Sequence, residues 1–280
     1  FGVGASVFAS DRVAKELLDL ADDDSVDAVV FRVDSGGGSA TASDQIWRAV
    51  ERLQESGKKV VVSMGSVAAS GGYYVAAGAD AVISTRSTLT GSIGVFGGKF
   101  AIADGLRQIG VNPDEVRVGG EFASAYSTEK LTNAQRVKLH DSLDRVYQRF
   151  TTLVSEGRNL PIERVREIAK GRIWSGEAAK EIGLVDETGD LIDAIQRAKV
   201  LAGFKPEDRA QIRLKLHEAS PLELLTGALA TARMSSGERQ AIEMLAPLVG
   251  RKRAEAVLGQ IRQLSEKSGA RVWSAPVIER

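Results

Sequence analysis

Apolar positions along the first two hundred residues alternate between helical and strand spacing. Val13, Leu17, Leu18 and Leu20 predict an amphipathic helix over Asp11 to Leu20, ending at the Asp22-Asp23-Asp24 turn. Asp27 to Val33 is a short, nearly unbroken apolar run and reads as a buried strand, running into Asp34-Ser35-Gly36-Gly37-Gly38-Ser39. Ile46, Val50 and Leu53 return to helical spacing within Thr41 to Leu53, and Lys58 to Met64 is a second apolar strand. Ser70 then starts a helix carried on through Tyr73 to Ala77. A short strand at Ala81 to Ser84 follows, then a Gly/Ser element at Leu89 to Phe96, a helix at Ile102 to Ile109 and a strand at Glu115 to Val118. Beyond Asn133 the pattern is mostly helical: Ala134 to Glu156, Ile162 to Ala169, Gly176 to Ile182 and Leu191 to Ala202. Strand-then-helix steps of this kind predict an α/β layered fold with a helical flank, either a doubly wound sheet or a superhelix of ββα units.

From Lys205-Pro206 onward the pattern changes. Ala210 to Leu216 reads as one strand, and Leu222 to Ala232, Glu238 to Val249 and Ala254 to Leu264 as amphipathic helices. We therefore divide the chain into a domain over residues 1–203 and a C-terminal helical extension over 204–280. The closing stretch from Val272 to Ile278 reads equally as an edge strand or as disordered. Phe1-Gly2-Val3-Gly4 reads as the tail of a strand, as in a fragment or a processed product.

Composition narrows the chemistry. Lys plus Arg and Asp plus Glu are equal at 37 each, so no overall field draws the 280-residue chain to nucleic acid or anionic lipid. The Arg251-Lys252-Arg253 cluster is read as a solvated helix start. With no cysteine in the sequence, disulfides, thiolate zinc sites and cysteine nucleophiles are excluded. No apolar run reaches the length of a membrane span. Asp22-Asp23-Asp24 lacks the Gly and Glu spacing of a calcium loop, and no cofactor or metal site is expected.

Two strand-Gly/Ser-helix turns in tandem are the informative feature. Ser70, in Gly65-Ser66-Val67-Ala68-Ala69-Ser70-Gly71-Gly72-Tyr73-Tyr74, stands where a strand gives way to a helix, the usual mounting of a serine nucleophile. Taken alone, such a serine is most often a helix N-cap. The Gly36 to Gly38 turn matches a dinucleotide fingerprint poorly, because the third glycine position falls on Thr41, and no Walker lysine exists.

Four segments together, Phe31 to Ser39, Ala69 to Tyr74, Leu89 to Val95 and Gly171 to Gly176, resemble in order and spacing the signatures of the signal peptide peptidase A (protease IV) family, from about Ala14 to Val200. The resemblance implies a crotonase-like fold shared with Clp proteases and a serine-lysine peptidase that degrades cleaved signal peptides. Carried over by position, Ser70 is the nucleophile, and the N–H of Gly71 with one from Gly37 or Gly38 forms the oxyanion hole. Ser92 is the serine that orients the lysine. The family usually has Pro where this chain has Gly36.

The base is the larger departure. In short family members the lysine follows the serine by about fifty residues, but Val118 to Ala125 contains none. Long members have two tandem copies, the N-terminal one supplying the lysine. This chain resembles the C-terminal copy, so its expected partners are that N-terminal half, apolar peptides and further copies of itself. The resemblance also implies the bacterial inner membrane, with the peptidase domain facing the periplasm and the anchor outside this chain. Lys99, after Gly97-Gly98, is a weaker candidate for a base in cis; Lys130 and His140 read as surface residues, His140 also departing from the Clp spacing. Two alternatives stay open: a crotonase-type acyl-CoA enzyme, with Glu121 as the tempting acid, and a non-catalytic scaffold.

Overall fold

The structure is a computed structural model and describes residues 9–114, 127–205, 207–214 and 276–279. The predicted strand at Glu115 to Val118, the stretch holding Glu121, His217, the three C-terminal helices and the Arg251-Lys252-Arg253 cluster lie outside the described residues.

The predicted alternation is present. Helix α1 (Ser10–Ala21) leads to β1 (Val26–Ser35), then α2 (Ala40–Glu55), β2 (Lys59–Ala69) and the single turn α3 (Gly71–Tyr74). Short strands β3 (Ala81–Ser84) and β4 (Leu89–Gly91) precede α4 (Ala103–Gln108) and the long α5 (Asn133–Gly157). Helix α6 (Ile162–Ile168), β5 (Ile173–Ser175), α7 (Gly176–Glu181), β6 (Glu187–Thr188) and α8 (Leu191–Leu201) follow. Two strands come from the predicted extension: β7 (Gln211–Leu214) and β8 (Pro276–Glu279), which pair with each other, while β8 also pairs antiparallel with β1.

Strands β1 and β2 read as continuous apolar runs because both faces are covered. Val29, Phe31 and Val33 point into a core shared with α1 and α2, whereas Ala28 and Val30 meet Ala194, Ile195 and Ala198 of α8.

Strand β2 is longer than its apolar pattern predicts, and its extra length is what carries the chain to Ser70. Its first half pairs with β3 and its second half, Val67 to Ala69, with β4, so one strand edge serves two neighbours and the sheet curls. Opposite β1 the register shifts between Val33 and Ser35, where Ser35 faces Ala68. A bulge exposes backbone polar groups that need new partners. Arg32 Nη1 donates to the Met64 carbonyl at 2.8 Å, Thr88 Oγ1 donates to the Gly65 carbonyl at 2.7 Å, and the Val67 N–H donates to Asp34 Oδ1 at 3.0 Å. Only glycine fits at position 65, since a Cβ there would lie 2.4 Å from Asp34 Cγ.

The polypeptide beyond Ser70 is fixed from below. Tyr73 is fully buried, its hydroxyl donating to the Leu184 carbonyl at 2.8 Å, and burial pushes the phenol's pKa well above its ordinary value. Replacing Tyr73 by Phe strands that carbonyl, and the expected loss is about 1–3 kcal/mol of unfolding free energy in denaturant titration. A change below about 0.5 kcal/mol would mean that the bond does not secure this helix.

Candidate active site

Ser70 occupies the junction between β2 and α3 with φ 52° and ψ −119°, a backbone conformation that costs energy for any residue with a Cβ. Two hydrogen bonds hold it there: its N–H donates to the Gly91 carbonyl at 2.9 Å, and its carbonyl accepts from the Tyr74 N–H at 2.8 Å. Its hydroxyl makes no capping bond to the helix, so the ordinary task of a serine at this position is not what its side chain performs. Strain of this kind at a strand-to-helix turn is how a nucleophile is exposed.

The Gly36 to Gly38 turn, at the end of β1, closes over Ser70. Gly37 has φ 97°, and a Cβ there would lie 2.5 Å from the Gly71 nitrogen and 2.8 Å from Ser70 Cβ. Gly71 is equally confined, because a Cβ would fall 2.4 Å from Ser43 Oγ. The Gly37 N–H donates to Ser35 Oγ at 3.1 Å, which removes it as a donor to a ligand. The N–H groups of Gly38 and Gly71 have no intramolecular acceptor among the described residues. Of the two glycines named from the sequence, Gly38 is therefore the available donor and Gly37 is the residue whose lack of a side chain permits the approach.

Ser92 has φ 48° and is pinned by its N–H to the Arg172 carbonyl at 2.7 Å. It lies on the same cavity as Ser70, a space of about 830 Å³. Beside Ser92 the cavity wall continues through Gly94, Val95 and Phe96 and is completed by the turn Lys170-Gly171. Helix α5 also lines the cavity, contributing His140, Leu143, Asp144 and Tyr147. These four follow i, i+3, i+4, i+7 and so share one helix face. His140 is exposed, as expected from its charged surroundings, but faces this cavity and not bulk solvent alone. Its position, like those of Asp144 and Lys170, was not anticipated. The heptad spacing on α5 was readable; its proximity to Ser70 was not.

Lys99 is placed elsewhere. Its Nζ donates to the Ser127 carbonyl at 3.0 Å, and it does not line the cavity. Lys130 pairs with Asp104 at 2.8 Å on the surface. Asp23, in the aspartate turn, accepts from Ser25 and Arg213, an arrangement that holds its carboxyl well below the usual range. Among the described residues no cluster of His, Asp and Glu has the arrangement of a metal site, and no helix is long and apolar enough to cross a membrane.

The cavity walls are tied together through Asp44 of α2. Tyr74 Oη donates to Asp44 Oδ1 at 2.8 Å, Arg48 Nε donates to Oδ2 at 2.8 Å, and Arg149 of α5 approaches Oδ1 at 3.4 Å while stacking over the Trp47 ring at 4.7 Å. Burial raises the Asp44 carboxyl pKa, but the bonds from Tyr74 and Arg48 outweigh it and leave the group below its ordinary value. One carboxylate thus sets the distance between the helix after Ser70 and the helix that faces it.

A curled α/β sheet with a half-buried serine at a strand end, on a cavity and under a glycine turn, defines a peptidase of the Clp-like, crotonase-fold class. Comparison with known proteins agrees. Residues 52–205 match the model of peptidase family S49, and residues 4–92 match that of Clp protease. The chain is 40% identical over 195 residues to Protease 4 of Salmonella typhi, an alignment covering 70% of this chain and 31% of that protein. It is 38% identical over 201 residues to Protease 4 of Haemophilus influenzae, covering 72% of this chain and 32% of the relative. It is 35% identical over 200 residues to the chloroplastic serine protease SPPA of Arabidopsis thaliana, covering 71% and 29%. The chain belongs to peptidase family S49, a family of serine peptidases, and spans about a third of the length of these relatives.

Proposed function

We propose that this chain carries the serine half of a split serine-lysine peptidase site that hydrolyses apolar peptides such as cleaved signal peptides. The observation that carries the reading is the state of Ser70: a hydroxyl held at positive φ and, among the described residues, without a hydrogen bond and beside two unpaired N–H groups. Ser70 Oγ attacks the peptide carbonyl, the tetrahedral oxygen is stabilised by the N–H groups of Gly38 and Gly71, the amine product leaves with the serine proton, and water then releases the acyl group.

A serine needs a base within hydrogen-bond reach. Lys99 is engaged with Ser127, and Lys170, though on the cavity, makes no hydrogen bond to Ser70. The lysine comes from an N-terminal half of the same protein, consistent with relatives of which the aligned part of this chain covers only about a third, and Ser92 orients it. Further copies assemble around this unit, in the bacterial inner membrane facing the periplasm.

Hydrolysis of a fluorogenic apolar peptide by this chain, alone and mixed with its N-terminal half, tests the reading. The mixture is expected to exceed the chain alone by about 10²- to 10⁴-fold, the usual contribution of a positioned base. Equal activity from the isolated chain would reject the split site, and no cleavage by the mixture would reject the peptidase reading.

A further inference from the structure

We propose that Lys170 is a carboxylate-binding residue of the Ser70 cavity, taking either the C-terminal carboxylate of a peptide or an acidic side chain. This rests on the reading of the cavity as a peptide site. Three observations converge on it.

Lys170 has φ 59° and is followed by Gly171 at φ 70°, two successive residues in the left-handed region. Glycine would adopt the first of these at no steric cost, and asparagine at little. A lysine there accepts strain, and it does so at a cavity wall. The turn is also immobilised against the serine-bearing segment. The Gly171 N–H donates to the Ile93 carbonyl at 3.0 Å, Ser92 donates to Arg172 from the other side, and a Cβ on Gly94 would come within 3.0 Å of the Gly171 nitrogen. Lys170 therefore projects from a fixed point next to Ser92.

The neighbouring cations are engaged differently. Arg164 pairs with Glu167 at 2.7 Å, and Arg172 Nη1 donates to the Glu167 carbonyl at 2.7 Å. Lys170 makes no hydrogen bond or ion pair among the described residues, and it adds only a minor pull on the Glu167 carboxyl beside that of Arg164. The other ionisable side chains of the cavity, His140, Asp144 and Tyr147, belong to α5, and Asp144 forms no ion pair with Lys170. A cation held apart from the one carboxylate of its own cavity is placed to receive a carboxylate from a ligand. The Asp144 charge in the same cavity makes the arrangement directional: a ligand carboxylate is drawn to Lys170 and repelled from Asp144.

The test is equilibrium binding to the full chain carrying Ser70→Ala, which separates recognition from turnover. A short labelled apolar peptide is prepared with a C-terminal carboxylate or carboxamide, and a second pair, both carboxamides, carries an internal Asp or Asn. In one of the two pairs the carboxylate member is expected to bind about three- to tenfold more tightly. The preference falls to about one in Lys170→Met, persists in Lys170→Arg and reverses in Lys170→Glu. Which pair shows it distinguishes a terminal from a side-chain carboxylate. Equal affinities within both pairs, a preference that survives Lys170→Met, or no binding by any of the four peptides overturns the proposal. Discrimination by Lys170 without hydrolysis by the complemented enzyme would instead sink the peptidase reading and leave the anion subsite standing.

Discussion

Gly37→Ala is expected to lower kcat/KM of the complemented enzyme by at least about a hundredfold, the effect of losing one oxyanion donor. The reasoning is steric. At φ 97° an alanine is strained whatever space surrounds it, and its Cβ would stand 2.5 Å from the Gly71 nitrogen, 2.8 Å from Ser70 Cβ and 3.0 Å from the Ala69 carbonyl. None of these is the yielding tip of a long side chain. To relieve the overlap the glycine turn must lift away from α3, and that motion separates the Gly38 N–H from the Gly71 N–H. The two donors act only if both reach the same oxygen. Thermal unfolding of the variant should also move to lower temperature, because the turn is bonded to Ser35 and packed on Ser70 and Gly71. Gly98→Ala is the control: nothing lies within 4 Å of a Cβ there, and the loop should accept it. An active Gly37→Ala enzyme would mean that the turn does not form part of the oxyanion hole.

The reason Gly37 and Gly38 were indistinguishable in the sequence is instructive. Both are glycines of one Gly-Gly-Gly turn with the same conformational freedom, and what separates them is the Ser35 hydroxyl folding back onto the Gly37 N–H. Such a choice depends on a turn geometry that no periodicity encodes. The elements with long, strongly patterned stretches were legible: α1, α2, α5 and α8 fall within one or two residues of their predicted ends, since each buries one apolar stripe, α2 and α8 against the sheet, α1 against α2 and α5 against α3 and α6. Strand β1 was legible because burial on both faces leaves an apolar run broken only by Arg32. Strands β5 and β6, three and two residues long, are too short to show alternation. The far end of β2 was read as a turn because Gly65, Ser66, Ala68 and Ala69 have little strand propensity. Their conformation is imposed by the partners β1 and β4 and by the three side chains that satisfy the bulge. Pairing of Val277 and Ile278 with Val29 and Ala28 joins positions some 250 residues apart, and the sequence left that stretch open between strand and disorder.

The candidate site divides along the same line. Ser70, Ser92 and Gly71 were readable because each stands in a local Gly/Ser signature. Lys170, His140 and Asp144 were not, since their significance comes from the curl of the sheet, which sets the turn before β5 and the middle of α5 against one cavity. Lys170 did leave one trace, its place directly before Gly171 in a motif already singled out. What the sequence lacked was the sign that its φ is positive.

Ser70→Ala is expected to have the largest effect on activity, a loss of about 10⁴-fold or more in kcat, as when the nucleophile of a serine hydrolase is removed. It should also abolish labelling by a serine-reactive phosphonate in intact-mass measurements. Stability should change by no more than about 0.5 kcal/mol, because the Ser70 hydroxyl makes no hydrogen bond among the described residues and alanine meets the same positive φ as serine. This combination, inactivity with an unaltered fold, separates a nucleophile from a helix cap, whose loss typically costs about 1 kcal/mol of stability. Ser92→Ala provides the contrast. Its hydroxyl lies on the cavity without a bond among the described residues, so its removal should also leave stability nearly unchanged. As a group that orients a lysine from the other half, it should lower kcat by only about 10- to 100-fold, the range seen when a partner that orients a reacting group is removed. That loss should appear only in the complemented enzyme. If Ser92→Ala matched Ser70→Ala in both labelling and rate, the two serines would have to be acting as one unit. If Ser70→Ala retained activity, the strained turn at the end of β2 would need a purpose other than nucleophilic attack.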